Sequence, residues 1–228
     1  MLDAKSLLDQ FLGQAGQAKR GIDGLGGTGG LAVGGVLGLL LANKKARKMA
    51  GNVAVYGGAA ALGLLAWRAY RNWQDGQKPA SGPVAQPGDM PQMAPKYLPS
   101  AAPAADGNPF ELALIRAMIS AAKADGHLDA TEQQRVFAEI ERMALDSEAK
   151  SAVFAMLANP VKLEEIVASA GNEEQAAELY LASRLAIDPD QPAEREYLAL
   201  LATRMNLPPE LRAHLDAQVE AALAQRAA

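Results

Sequence analysis

Two short stretches concentrate the side chains able to do chemistry. The first is Ala122-Lys-Ala-Asp125-Gly-His127-Leu-Asp129-Ala-Thr-Glu132 and the second is Leu185-Ala-Ile-Asp188-Pro-Asp190-Gln-Pro-Ala-Glu194-Arg-Glu196. Each follows a helical stretch with two aspartates and then sets a glutamate in the first turn of the next helix, a weak internal repeat about 63 residues apart. Carboxylates are the hard oxygen donors that calcium or magnesium requires, and two such turns brought together would hold a divalent cation. Asp125, Asp129, Glu132, Asp188, Asp190 and Glu194 are therefore the candidate metal ligands. Neither turn has the EF-hand pattern of alternating donors with glycine sixth. The same residues also serve as helix caps: Asp129 with Glu132 forms a capping pair, and Asp190 with Glu194 complements a helix start through the macrodipole. Both readings fit the pattern, capping more simply.

Other chemistries are excluded by composition. The 228 residues contain no Cys, which removes disulfides, thiolate catalysis and Cys-ligated zinc or iron–sulfur clusters. The two histidines, His127 and His214, cannot build a His-rich metal site; His127 is read as an exposed or hydrogen-bonded neighbour of the first turn and His214 as a rim residue of the last helix. Paired carboxylates could hydrolyse a bond only with a cleft and separated pKa values, which the sequence does not provide. The chain is read as non-enzymatic. Residues 1–78 carry ten Lys/Arg against four Asp/Glu and the rest twelve against twenty-two, a gradient that suits a membrane surface at one end better than nucleic acid, so no nucleic-acid partner is expected.

The elements that must position these turns are helices. Residues 108–228 form an all-α domain with helices expected from Asn108-Pro109-Phe110-Glu111 to about 123, and over 130–145, 147–158, 161–170, 172–186, 192–205 and 208–225, their apolar positions recurring at three and four. Before it, residues 76–107 carry prolines at every fourth position from Pro79 to Pro103, which predicts a disordered, extended and solvated linker. Residues 1–20 read as a short amphipathic segment. Residues 21–75 contain two runs without charge, about 24–42 and 51–67, separated by the basic island Lys44, Lys45, Arg47, Lys48. At 1.5 Å per residue each run is near the hydrocarbon thickness of a bilayer, so a transmembrane helical hairpin is expected.

Within that hairpin Gly26, Gly30, Gly34 and Gly38 recur every fourth residue, and Ala59 with Gly63 repeats the spacing in the second run. Small residues at that interval let helix backbones approach in lipid, a glycine-zipper pattern for membrane packing. Trp67, Arg68, Tyr70, Arg71 and Trp73 follow as an expected interfacial belt, with the basic island on the other side of the run.

The glycine-rich hairpin, the proline-rich linker and the run ALIRAMISAAKADGHLDATEQQRV together resemble the YebE-like bacterial inner-membrane proteins, whose C-terminal region is TerB-like, that is, tellurite-resistance-like. The resemblance covers nearly the whole chain and is strongest over residues 121–132 and 180–201. It implies a C-terminal bundle of about seven helices in two related halves, with divalent-cation ligands at the two acidic turns. The second turn departs in holding Pro189 and Pro192 and lacking the Asp-Gly step. The resulting expectation is a membrane-anchored binding or scaffold module of the bacterial inner membrane, its helical domain on the cytoplasmic side. Its partners would be the lipid bilayer, a protein that docks on the helical domain, and further copies joined through the hairpin. The alternative is a membrane oligomer or pore driven by the glycine stripe.

Overall fold

The computed structural model describes residues 59–98, 102–124, 147–159, 161–187, 189 and 191–224. Among them seven α-helices follow in order: α1 Ala59–Gln74, α2 Phe110–Ala122, α3 Ser147–Ala158, α4 Leu163–Ser169, α5 Glu173–Ala186, α6 Pro192–Arg204 and α7 Pro209–Ala224. No strand occurs among the described residues, so the all-α expectation holds there.

Helix α5 is the centre. Asn172 starts it by accepting the Gln175 N–H at 2.8 Å on its side chain, and Glu173 and Glu174 sit where the helix dipole favours negative charge. From Gln175 to Ala186 every residue is buried, because α5 is surrounded by α1, α2, α6 and α7. A helix covered on all sides needs small residues where neighbours approach, and its four alanines in this stretch provide them. Helix α6 begins with Pro192 at its first position and ends on Asn206, whose φ of 53° is the left-handed conformation. The Leu207 N–H then returns to the Ala202 carbonyl at 3.0 Å and the Asn206 N–H to Thr203 at 3.1 Å, closing the helix.

Three sequence expectations are corrected here. The residue types place the cap of α2 at Asn108 with Pro109 as its first helical residue, whereas Phe110 is the first helical residue and Pro109 the cap position, and the Asn108 side chain donates to Asp106 at 2.9 Å. Residues 62–67 of the second apolar run lie inside the bundle. Leu62 and Leu64 are fully buried and Trp67 is 4% exposed, with α1 packed on α7 and α5. An uncharged helix is equally suited to a protein interior and to lipid, so composition did not separate the two. No helix among the described residues is long and apolar enough to cross a membrane. The third correction is the linker. Residues 79–98 form a strap of three 3-10 turns, Pro79–Ser81, Pro87–Gln92 and Pro95–Tyr97, each opening on a proline where a missing N–H costs no bond. The strap lies on the bundle, with Ala85, Met93 and Tyr97 buried in the common core.

Candidate functional site

The predicted ligands Asp125, Asp129, Glu132, Asp188 and Asp190 fall outside the described residues, as do His127, Gly26, Gly30, Gly34, Gly38, Lys44, Lys45, Arg47 and Lys48. Glu194 is described, and its carboxylate accepts the Gln191 N–H at 3.3 Å in a capping box. Among the described residues no group of three or more His, Asp or Glu side chains is placed to hold a metal.

The belt residues are brought together, but against protein. Arg68 and Arg71 lie over the Trp67 ring at 5.0 and 5.4 Å, Tyr70 meets Trp73 edge-on at 5.5 Å, and Arg68 pairs with Asp89 of the strap. That guanidinium holds the Asp89 carboxyl below its ordinary pKa. Ala59 opens α1. Gly63 serves the strap: a Cβ there would lie 1.6 Å from the Tyr97 carbonyl oxygen, so only glycine lets the strap backbone cross α1 at this point.

The most elaborated site among the described residues is the seat of that strap. Gln218 on α7, 1% exposed, accepts the Ala85 N–H on Oε1 at 2.9 Å and donates from Nε2 to the Pro83 carbonyl at 2.9 Å. Asn72 on α1, also buried, donates from Nδ2 to the same Pro83 carbonyl at 2.8 Å. Gly82 fits because a side chain there would meet the Asn72 amide at 2.7 Å. Farther along, Lys96 pairs with Glu174 of α5 and lies over the Tyr70 and Tyr97 rings at 5.6 and 5.4 Å; the carboxylate raises the Lys96 pKa.

Beneath this end of the strap lies a buried acid. Glu178 is 1% exposed and its Oε2 has no hydrogen-bond partner. Burial first, then the nearby Glu174 and Glu111, push its pKa well above the ordinary carboxyl value. The Tyr97 hydroxyl is likewise buried without a partner. Elsewhere α5 and α7 are pinned by a polar network. The Tyr180 hydroxyl donates to Asp216 at 2.8 Å and accepts from Arg212 at 3.1 Å, while buried Arg184 pairs with Glu220 and donates to the Ile187 carbonyl at 3.1 Å. Arg212 and Asp216 border an open groove shared with Thr203, Leu207 and Ala213. His214, read from sequence as a rim residue, is 3% exposed, and burial lowers its pKa. Nothing in the sequence singled out Gln218 or Asn72; the signal that could have found them is a polar residue on an apolar helix face.

The family described as "Protein of unknown function (DUF533)" matches residues 26–219, and it is related to the TerB-like fold. A protein of Yersinia enterocolitica, described as an uncharacterized protein in the ampR 5' region, is 27% identical over 106 residues, covering 46% of this chain and 76% of that protein. No solved structure matches.

Proposed function

This chain belongs to the DUF533 family, and from that premise we propose a non-enzymatic protein-binding module of TerB-like type, anchored at a bacterial inner membrane by the glycine-rich residues before α1. The observation that carries the binding part is the use made of buried polar side chains: Gln218 and Asn72 hold the backbone of a proline-rich segment, and Tyr180, Arg184 and Asp216 hold helix to helix. Fixed amides inside an apolar surface are a means of recognition, since an amide left buried without its partner bears the full cost of its desolvation. The anchoring part is supported by the uncharged run over residues 24–42 and the basic island that follows it. With residues 62–67 taken into the bundle, the anchor we propose is the first uncharged run alone.

Flotation with anionic liposomes tests the anchor. The full chain is expected to rise with the vesicles, and Leu37→Asp with Leu40→Asp to leave it in the aqueous fraction. A native chain that stays in the aqueous fraction without detergent contradicts the reading.

A further inference from the structure

The open groove between α6 and α7 has a volume of about 280 Å³, just under the roughly 300 to 1,000 Å³ of pockets that take drug-sized ligands. It suits a smaller molecule. Ala202, Leu207, Pro209 and Ala213 give it an apolar lining, and Arg212 and Asp216, one helical turn apart on α7, give it charge. Both charged groups have bonding capacity that the bundle does not use. The Arg212 Nε donates to the Tyr180 hydroxyl at 3.1 Å, and the guanidinium lies 5.8 Å from the centre of the Tyr180 ring. Tyr180 is fully buried on α5, so it fixes the direction of the guanidinium, while the two Nη groups make no hydrogen bond among the described residues. Asp216 is bonded through one oxygen. Its Oδ1 accepts from the Tyr180 hydroxyl at 2.8 Å, whereas Oδ2 stands 3.8 Å from the Arg212 Nε, too far for a hydrogen bond. Burial outweighs the contacts with Tyr180, Arg184 and Arg212 and raises the Asp216 carboxyl above its ordinary pKa, the mark of a carboxylate short of positive charge.

Charge then selects the ligand. The other cation of this network, Arg184, stands 3.7 Å from Asp216 but is buried and paired with Glu220, so the groove lining itself carries one cation and one anion. An anionic ligand would meet Asp216 and a cationic one Arg212, each as a like charge at close range. A molecule with an ammonium and a carboxylate on one carbon meets both with opposite charge. Its carboxylate accepts from the Nη pair in the forked geometry that guanidinium favours, and its ammonium donates to Oδ2. The Thr203 hydroxyl donates to the Ala199 carbonyl at 2.8 Å, which leaves its own lone pairs as further acceptors in the groove lining. We propose that the groove between α6 and α7 binds a free α-amino acid with a small apolar side chain, its carboxylate on Arg212, its ammonium on Asp216 and its side chain against Leu207 and Ala213. This goes beyond the protein-binding reading above and does not rest on it.

The test is a saturation-transfer NMR titration of the full chain in detergent with L-leucine and two analogues: 4-methylpentanoate, which lacks the ammonium, and 3-methylbutylamine, which lacks the carboxylate. L-leucine is expected to bind saturably, and each analogue at least tenfold more weakly. Arg212→Lys keeps the charge and removes the fork; Ala213→Phe fills the groove from an exposed position and leaves the charged network untouched. Each is expected to weaken L-leucine binding at least tenfold while the circular dichroism spectrum stays native. No saturable signal with L-leucine up to about 10 mM overturns the proposal. So does an analogue that binds as tightly as L-leucine, and so does L-leucine binding that neither variant changes. If both variants unfold, the analogue series on the native chain decides by itself.

Discussion

Glu178 and His214 are two buried titratable side chains with opposite consequences for stability. Below the ordinary carboxyl pKa of 4.5, Glu178 is protonated in folded and unfolded chains alike. Above it the unfolded chain releases the proton while the bundle retains it, so the folded state binds more protons and stability declines as pH rises toward the folded-state pKa. His214 works the other way. Its folded pKa lies below the ordinary 6.5, so as pH falls through 6.5 the unfolded chain takes up a proton that the bundle refuses, and stability declines with falling pH. Thermal melts from pH 4 to 9 check both: Glu178→Gln is expected to flatten the alkaline decline and His214→Gln the acid one. Because one Glu178 oxygen is buried unpaired, Glu178→Met is expected to stabilise the bundle at neutral pH by about 1–3 kcal/mol, read by urea denaturation. A destabilised Glu178→Met would mean that the carboxyl is satisfied. Neither environment was legible beforehand, since both residues sit in helical stretches whose polar positions alone do not reveal what covers them.

The strap and its seat make the predictions that belong to elements. Gly63→Ala drives a methyl into the Tyr97 carbonyl and is expected to cost roughly 2 kcal/mol or more, by lifting the strap from α1; the same change at Gly88, with open space around it, should be nearly neutral. Gln218→Ala removes two hydrogen bonds and leaves the Ala85 N–H buried, an expected loss of roughly 1–3 kcal/mol in chemical denaturation. The helices themselves were legible. Residues 172–186 and 208–225 were expected as helices, and α5 and α7 occupy 173–186 and 209–224, because Asn172, the Glu pair after it and the apolar spacing act locally. The proline-rich segment was not legible. Its spacing correctly excluded an α-helix, but its docking depends on Gln218, 133 residues distant from Ala85, and no local pattern encodes that. Gly63 was picked out for its smallness, and small it must be, though for a crossing strap rather than a facing helix in lipid.

At the scale of the molecule, the partition read from composition was drawn in the wrong place. The change from apolar to proline-rich to helical sequence suggested an anchor, a leash and a bundle beginning at residue 108, whereas α1 and the strap belong to the bundle's core. An apolar helix gives the same sequence signal whether protein or lipid surrounds it, and Leu62 to Trp67 are surrounded by α5 and α7. The proposed anchor therefore rests on the residues before α1, and the globular unit begins at least as early as residue 62. Hydrogen exchange of the full chain in aqueous buffer tests this most directly. The amides of residues 62–69 and the Ala85 N–H are expected to exchange as slowly as the buried amides of α5. Complete exchange of residues 79–98 within seconds, with α5 still protected, would contradict it and restore the solvated linker.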